Sequence, residues 1–272
     1  MLAQLFTIFC RLSPSLRRLI WRQWYEFLAG RFEQKDWSFM NYGYAPLDPH
    51  VAKLHLDEAD EPNRYCIQLY HHVANAVNLK NSEVLEVSSG RGGGSYYIKG
   101  FLGPQSVIGV DYSEQVVAFC NANYVLDGLS FVTGDAELLP FEDGSFDAVV
   151  NVESSHCYGS MDAFLMEVKR VLRHHGYFLY ADLRGRGRID TLYQQLRRSG
   201  MNLIKETNIT PHVLQALDLD NERKTALIRQ SMHKFLLHAF LEFAAVKGSR
   251  IYEGFRAGDL MYLSFVLQKQ KE

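Results

Sequence analysis

The stretch "VLEVSSGRGGGS" over residues 84–95 ends a short apolar run in a cluster of glycines. Glycine costs backbone entropy, so such a cluster indicates either a flexible linker or a turn that a ligand approaches closely. A strand-like run precedes the cluster and a helix-like run follows it, which favours the turn. Gly90 and Gly92 would then let the backbone close tightly before a helix N-terminus, a place that suits an anionic group.

Carboxylates follow the next two apolar runs. Asp111 ends "SVIGVD", 21 positions after Gly90 (111 − 90), and an acidic residue about 20 positions after such glycines suits the hydroxyls of a ribose. Taken alone, Asp111 could equally be a helix cap or a turn residue. Asp135 ends "LSFVTGD", and with Ala136 and Glu137 it could lie along an adenine edge. An ordinary turn at a strand end is the alternative for Asp135.

A histidine and a further aspartate follow the fourth and fifth apolar runs. His156 comes just after "FDAVVNVES", and Asp182 lies near the end of "GYFLYADL". Histidine is the natural general base near neutral pH. An aspartate that binds the other ring nitrogen orients the imidazole and stabilises its protonated form. We therefore predict that His156 and Asp182 are catalytic, with a structural, hydrogen-bonded histidine as the alternative.

The elements that must position these residues alternate regularly. Short apolar runs and helical patterns follow one another from about residue 81, which predicts an α/β, doubly wound, mostly parallel sheet covered on both faces. In such a sheet, ligands bind beyond the carboxyl ends of the strands, where the residues above lie. The segment 211–247 reads as helical throughout, and the last run, "GDLMYLSFVLQK", reads as an antiparallel edge strand.

The sequence divides into two predicted parts. Residues 1–80 are expected to form an N-terminal helical cap or lid, and residues 81–272 the ligand-binding domain, with a helical insertion at about 211–247. An apolar stripe between residues 16 and 28 predicts an amphipathic helix. Packing on the domain and contact with a membrane surface both remain open for it. Arginines interrupt the stripe before ~20 apolar residues accumulate, so it does not read as a membrane span.

Composition limits the classes of protein. The chain has 272 residues, 47% hydrophobic and 22% charged, with a net charge of −2. These values are typical of a globular protein with a core and argue against nucleic acid as the main partner. Four scattered cysteines without a Cys-x-x-Cys indicate a reducing, cytoplasmic setting. No histidine set has metal-ligand spacing, so no metal is expected. The sequence predicts no oligomeric state.

The motifs taken together carry a family resemblance. "VLEVSSGRGGGS", "GVDYS", "GDAELLPFEDGSFDAVVNVES" and "EVKRVLRHHGYFLYADL" resemble, in this order, the motifs of the seven-stranded, Rossmann-like S-adenosylmethionine-dependent methyltransferases. Within them "EPNR", "EVSSGRGGGS", "NVESSHCY" and "YADLR" resemble the mycobacterial phthiotriolone/phenolphthiodiolone dimycocerosates methyltransferases and related small-molecule O-methyltransferases. The match covers roughly residues 40–184 and fades beyond them. One loop departs from the family pattern, because "RHHG" replaces the usual "RPGG".

The resemblance implies that S-adenosylmethionine is the cofactor and S-adenosylhomocysteine the product. It also implies an antiparallel last strand and extra helices at the N-terminus and in the C-terminal third. His156 and Asp182 match the positions of the His and Asp pair of small-molecule O-methyltransferases. The cofactor contacts that it implies are Glu86, Ser88, Gly90 and Gly92 at the methionine part, Asp111 and Tyr112 at the ribose and adenine, Asp135, Ala136 and Glu137 on the adenine side, Asn151 after the fourth strand, and Tyr42 over the methionine end.

These observations lead to one functional hypothesis and its rivals. We expect methyl transfer to a hydroxyl of a lipophilic small molecule, such as a polyketide-like lipid or another secondary metabolite, since the 13% aromatic share favours an apolar pocket. C-methylation of a sterol-like or prenyl-like lipid is an alternative, in which Glu153 would face a cationic intermediate. A non-catalytic cofactor-binding module and a nicotinamide-dependent dehydrogenase are the others, because fold alone does not fix function.

Overall fold

The computed structural model of the chain describes residues 38–271, so the predicted helix within residues 16–28 lies outside the described part. The described chain alternates strands and helices from residue 83 onward, as the sequence predicts. Its helices are α1 Arg64–Ala74, α2 Gly93–Phe101, α3 Glu114–Asn123, α4 Met161–Val171, α5 Ile189–Arg198, α6 Thr210–Ser231, α7 Lys234–Phe243 and α8 Arg250–Ala257. Its strands are β1 Glu83–Val87, β2 Ser106–Asp111, β3 Leu129–Thr133, β4 Phe146–Val152, β5 Leu172–Gly185, β6 Asn202–Asn208 and β7 Leu260–Gln268.

The strands form one seven-stranded sheet in the order β3-β2-β1-β4-β5-β7-β6. Strands β1 to β5 pair in parallel, whereas β7 runs antiparallel to both β5 and β6. The direction of winding reverses between β1 and β4, and the crevice at that point is where open α/β sheets bind ligands. The predicted fold class, a doubly wound sheet with an antiparallel last strand, is confirmed.

Two details of the C-terminal third differ from expectation. β7 is not the edge strand, because β6 pairs along its outer side. The sequence of β6, "NLIKETN", is exposed almost throughout and lacks the buried alternation by which a strand is recognised. The long predicted helix is broken, since α6 ends at Ser231 and α7 begins at Lys234.

Both faces of the sheet are buried, which explains the continuous apolar runs of its central strands. Val149 and Val150 of β4 are wholly buried, although their side chains point to opposite faces. One face packs against α1 and α2, and the other against α4. Helix α4 shows how the pattern works: Ser160 caps it by accepting a hydrogen bond from the Ala163 amide at 3.1 Å, and its apolar residues recur at helical spacing.

A strap before α1, residues 39–45, crosses the carboxyl ends of the strands. The Tyr44 ring is stacked between His72 of α1 and His212 of α6, at centroid distances of 4.6 and 4.4 Å. Backbone hydrogen bonds from the Tyr44 amide to Tyr65 O and from the Ala45 amide to His212 O fix the strap further. These contacts place Phe39, Met40 and Asn41 on the wall of the crevice.

Candidate active site

The glycine cluster forms the turn between β1 and α2. Ser88, Gly90 and Gly92 have φ values of 58°, 50° and 82°, a left-handed region that glycine tolerates best. Helix α2 then starts directly against α1, because a Cβ at Gly94 would lie 2.1 Å from the Tyr70 ring. The glycines therefore let the backbone turn sharply and let two helices approach closely beneath the crevice.

Asp111 ends β2 beside this turn. Its Oδ2 accepts a hydrogen bond from the Gly90 amide at 2.9 Å, and its Oδ1 accepts one from the Ser113 amide at 3.0 Å. Burial raises the pKa of Asp111 above its usual value, although these backbone donors oppose the rise. The glycine turn and the carboxylate thus form a single unit in which each fixes the position of the other.

A cavity opens at the carboxyl ends of β1, β2 and β4, roofed by the strap. It also contains side chains that the sequence analysis did not single out, namely Phe39, Met40 and Ser89. The predicted residues that line it are Ser88, Gly90, Asp111, Tyr112, Asp135, Ala136 and Glu137. The predicted residues that do not line it are Tyr42, Glu86, Gly92, Asn151, His156 and Asp182.

Glu86 lies under the glycine turn rather than in the cavity. The Tyr70 hydroxyl donates to its Oε1 at 2.6 Å, and the Ser95 hydroxyl donates to its Oε2. Burial raises the pKa of Glu86 to about 7. Since Tyr70 belongs to α1 and Ser95 to α2, the carboxyl group joins both helices to β1.

Asn151 and Tyr42 also lie beside the cavity rather than on its wall. The Asn151 amide nitrogen donates to Val87 O, Ser154 Oγ and Tyr158 OH at 2.9, 2.7 and 2.9 Å, and so links the ends of β1 and β4. The buried Tyr42 ring packs edge-on against Phe255 at 5.9 Å, while its backbone amide approaches the cavity.

His156 and Asp182 meet next to the cavity. His156 lies in a single 3-10 turn after β4, and its Nδ1 is 2.7 Å from Asp182 Oδ1 at the end of β5. The His156 amide also donates to Asp182 Oδ2 at 2.9 Å. The carboxyl group of Asp182 is completely buried, whereas the His156 side chain keeps 27% of its surface exposed. Cys157, the next residue, and Glu153, which interacts electrostatically with His156, both line the cavity, so the imidazole lies close to the cavity although it is not part of its lining.

Charges around this pair decide its protonation. Burial alone would raise the pKa of Asp182, but Arg184, 2.9 Å away, and His156 hold it below the usual range. Burial would lower the pKa of His156, yet Cys157 and Asp182 outweigh it and hold the imidazole pKa well above its usual value. Both shifts favour the form of the pair in which the imidazole is protonated and the carboxyl group is ionised.

Glu153 is the cavity residue to which the sequence analysis gave only a secondary role. It follows β4 directly with a φ of 52°, an uncommon value for a residue other than glycine. Its Oε2 accepts hydrogen bonds from the Tyr42 amide and the Tyr262 hydroxyl, both at 2.9 Å. Burial raises the pKa of Glu153 to about 8. The only sequence signal for it was its place within "NVESSHCY".

An unsatisfied hydroxyl group on the cavity wall fits a ligand that carries polar groups. Ser89 Oγ is buried on this wall and has no hydrogen-bond partner within residues 38–271. Buried polar atoms normally find partners, so a ligand is expected to supply one here. Val110, Val116 and Ala136 give the same region an apolar wall that suits an adenine ring. These features fit an adenosine-containing cofactor.

Within the described part of the chain, no cluster of at least three His, Cys, Asp or Glu side chains could hold a metal ion. No helix among those residues is long and apolar enough to cross a membrane.

Comparison with known proteins identifies the family. A model of the methyltransferase domain matches residues 85–180. The chain is 38% identical over 257 residues to the phthiotriol/phenolphthiotriol dimycocerosates methyltransferase of Mycobacterium tuberculosis, covering 94% of both proteins. The chain belongs to the S-adenosylmethionine-dependent methyltransferases. It is also 36% identical to a fatty-acid O-methyltransferase of Mycolicibacterium smegmatis, over 91% of this chain and 89% of that protein.

Solved structures agree with the fold of this methyltransferase. A cyclopropane synthase from Mycobacterium tuberculosis superposes with a TM-score of 0.68 at 14% identity, over 87% of this chain and 94% of that one. A geranyl diphosphate methyltransferase in complex with S-adenosylmethionine gives a TM-score of 0.59 at 17% identity, over 85% and 98%. The enzyme uses S-adenosylmethionine as its methyl donor, as the sequence predicts.

Proposed function

We propose that this methyltransferase methylates a hydroxyl group of a lipophilic small molecule. The observation that carries the proposal is the His156–Asp182 pair at the edge of the cofactor cavity, since a hydroxyl nucleophile benefits from a base. The names of the relatives, which refer to phthiotriol-type lipids and to fatty acids, support a lipophilic acceptor. Phe39 and Met40 on the cavity wall support it as well.

Our proposal seats the cofactor at the β1, β2 and β3 end of the cavity. Asp111 would bind the ribose hydroxyls, and Ser89 Oγ, which has no partner within residues 38–271, would gain one from the ligand. Asp135, Ala136 and Glu137 would flank the adenine, while the turn at Gly90 would receive the methionine part. Glu86, Asn151 and Gly92 would hold these elements in place rather than touch the ligand.

The reaction asks little of the protein beyond position, dryness and one proton transfer. The bound cofactor supplies an activated methyl group whose bond to sulfur breaks as the new O–CH3 bond forms. In the proposed mechanism, His156 accepts the proton that the hydroxyl loses. Asp182 orients the ring through Nδ1 and stabilises the imidazolium that results. The strap over the crevice excludes water.

The raised pKa of His156 has a direct consequence for this mechanism. An imidazole must lose its proton before it can act as a base, so turnover should rise with pH above the usual histidine range and then level off. Glu153, with a pKa of about 8, titrates in an overlapping range. A Glu153→Gln variant should therefore keep the histidine-dependent rise if His156 is the base.

Product analysis tests the proposal. The enzyme would be incubated with S-adenosylmethionine carrying a 13C-labelled methyl group and with separate panels of long-chain alcohols, fatty acids and isoprenoids. We expect a product whose labelled carbon has the NMR chemical shift of an O–CH3 group. Label found only on carbon, or transfer to no lipophilic acceptor in the panels, would overturn it.

C-methylation is the second candidate, and Glu153 is the observation that favours it. Its carboxyl group lines the cavity, and its Oε1 makes no hydrogen bond within the described residues. An ionised carboxylate there could stabilise a cationic intermediate. The raised pKa keeps Glu153 largely protonated at neutral pH, which weakens that role. If the label appears on carbon and Glu153→Gln abolishes transfer, this candidate replaces the first.

We also propose, from the sequence alone, that the amphipathic segment within residues 16–28 brings the enzyme to a membrane surface where lipophilic acceptors reside. Residues 1–80 would then act as a cap over the methyltransferase domain. Deleting residues 1–28 should release the protein from anionic vesicles in a flotation assay and reduce turnover on a vesicle-borne acceptor. Unchanged flotation and turnover would leave only a packing role.

A further inference from the structure

We propose that Arg184 is a positioning residue that sets the proton affinity of His156 by sharing the Asp182 carboxylate with it. This inference rests on the proposed function only for its catalytic consequence, because the effect on His156 can be measured without substrate. The juxtaposition of imidazole, carboxylate and guanidinium at the end of β5 carries it.

Arg184 is built into the fold rather than laid on its surface. Its side chain is 10% exposed, and its Nη1 lies 2.9 Å from Asp182 Oδ2. Its Nη2 donates to Ser155 Oγ at 2.7 Å and to Tyr180 OH at 2.9 Å. Its Nη1 also donates to Leu183 O at 2.7 Å, so four separate groups hold the guanidinium in place when the charge of His156 changes.

The Asp182 carboxylate binds two cationic side chains, one at each of its oxygens. His156 Nδ1 binds Oδ1, whereas the Arg184 guanidinium and the Ser155 hydroxyl, at 2.6 Å, bind Oδ2. In a simple histidine–aspartate dyad, the full carboxylate charge would hold the proton on the imidazole. Here the guanidinium offsets part of that charge and also repels the imidazolium. Both effects make His156 release its proton more readily than it would without Arg184.

The other ionisable groups that residues 38–271 are seen to place around His156 are acids, a thiol and phenols. Glu153 faces it from the end of β4 and Cys157 adjoins it in the 3-10 turn. Four tyrosines also interact with Asp182, namely Tyr42 of the strap, Tyr158, Tyr180 of β5 and Tyr262 of β7. None of these groups is positively charged in either of its protonation states. Arg184, which shares the Asp182 carboxylate with His156, therefore opposes the protonation of His156 electrostatically.

The direct test is an NMR titration of the imidazole. The protein has ten histidines, and His156→Gln identifies the His156 resonance by its loss. We expect Arg184→Gln to move the His156 titration to higher pH, and Arg184→Lys to move it in the same direction by less, because the lysine keeps a charge but not the two-pronged contact. If His156 is the catalytic base, Arg184→Gln should lose turnover at neutral pH, and this loss should be roughly tenfold larger than the loss of the same variant at the alkaline plateau.

Arg173→Gln is the matched control. Arg173 lies on the same strand and pairs with Asp147 at 2.9 Å, but it is at the other end of the strand from Arg184. The control should leave the His156 titration unchanged. S-adenosylhomocysteine binding reports whether each variant is folded, and Arg184→Lys keeps the test open if Arg184→Gln does not fold.

An unmoved or lowered His156 titration in the folded Arg184 variants would overturn the inference, as would an equal rise in Arg173→Gln. Failure of the proposed function looks different: the titration would move as expected, but methyl transfer by His156→Gln would remain close to that of the unaltered enzyme.

Discussion

The two ends of the cavity are constructed differently. At the β1–β2 end, the backbone dominates: the turn at Gly90 donates to Asp111, and left-handed φ values fix its course. Beside the cavity, near the ends of β4 and β5, side chains dominate: the partly exposed His156 is linked by hydrogen bonds and charge to the buried Asp182 and, through it, to Arg184. A site made of backbone groups depends little on the side chains and suits a ligand that a whole family shares. A network of side chains can change by substitution and suits one particular acceptor. We therefore expect the first region to govern cofactor binding and the second to govern the methyl-transfer step.

The largest expected effect comes from the side-chain end. His156→Gln should lower turnover on an alcohol roughly 10²- to 10⁴-fold, the usual contribution of a general base. A fatty acid is already ionised near neutral pH and needs no base, so its methylation should change much less. Asp182→Asn should lose less turnover on the alcohol than His156→Gln, because in the proposed mechanism Asp182 only orients and stabilises the imidazole ring. Initial rates with both acceptors check this, and equal losses on alcohol and acid would argue against proton transfer by His156.

At the backbone end, Gly94→Ala should disturb the fold itself. The added methyl group would overlap the Tyr70 ring, which should destabilise the protein by about 2–3 kcal/mol. Gly100→Ala, in the same helix with nothing within 4 Å of the added carbon, is the control and should stabilise by about 0.5–1 kcal/mol. Denaturant titration measures both, and similar effects for the two variants would contradict the tight contact between α1 and α2.

Asp111→Asn should weaken cofactor binding by roughly 10- to 100-fold, because hydrogen bonds to a charged group are stronger than those to an amide. Glu114→Gln, an exposed change at the start of the next helix, is the control. Calorimetry with S-adenosylhomocysteine gives both affinities. An unchanged affinity for Asp111→Asn would place the ribose elsewhere in the cavity.

The smallest effect concerns stability against pH. Burial raises the pKa of Glu86 to about 7, so its folded-state contribution is greatest below the usual glutamate pKa and is lost as pH rises through about 7. Glu86→Gln should therefore lose less stability than the unaltered protein as pH rises from about 4.5 to about 7.5, by about 1–3 kcal/mol, and the difference should stay constant above that range. Unfolding free energies across this range check the sign, and parallel curves would show that Glu86 is not the group responsible.

Much of this architecture was predictable because strands and ligands share one edge of a doubly wound sheet. The positions of Asp111 and His156 were predictable because Asp111 ends one apolar run and His156 comes just after another. The actual position of Glu86 did not, because its partners Tyr70 and Ser95 come from two helices that only the folded chain brings together. Strand β6 was missed since its sequence is polar and exposed. Arg184 carried no periodic signal at all, and its role depends on a network that closes in three dimensions.

The most direct test of the separation between the two ends compares Asp111→Asn with His156→Gln in both binding and turnover. S-adenosylhomocysteine affinity and single-turnover methyl transfer at saturating cofactor would be measured for each variant on an alcohol acceptor. We expect Asp111→Asn to bind S-adenosylhomocysteine more weakly but, at saturating cofactor, to transfer methyl within about threefold of the unaltered rate. We expect His156→Gln to keep the unaltered affinity and to lose the methyl-transfer step. Variants that each lost both properties to a similar degree would contradict it.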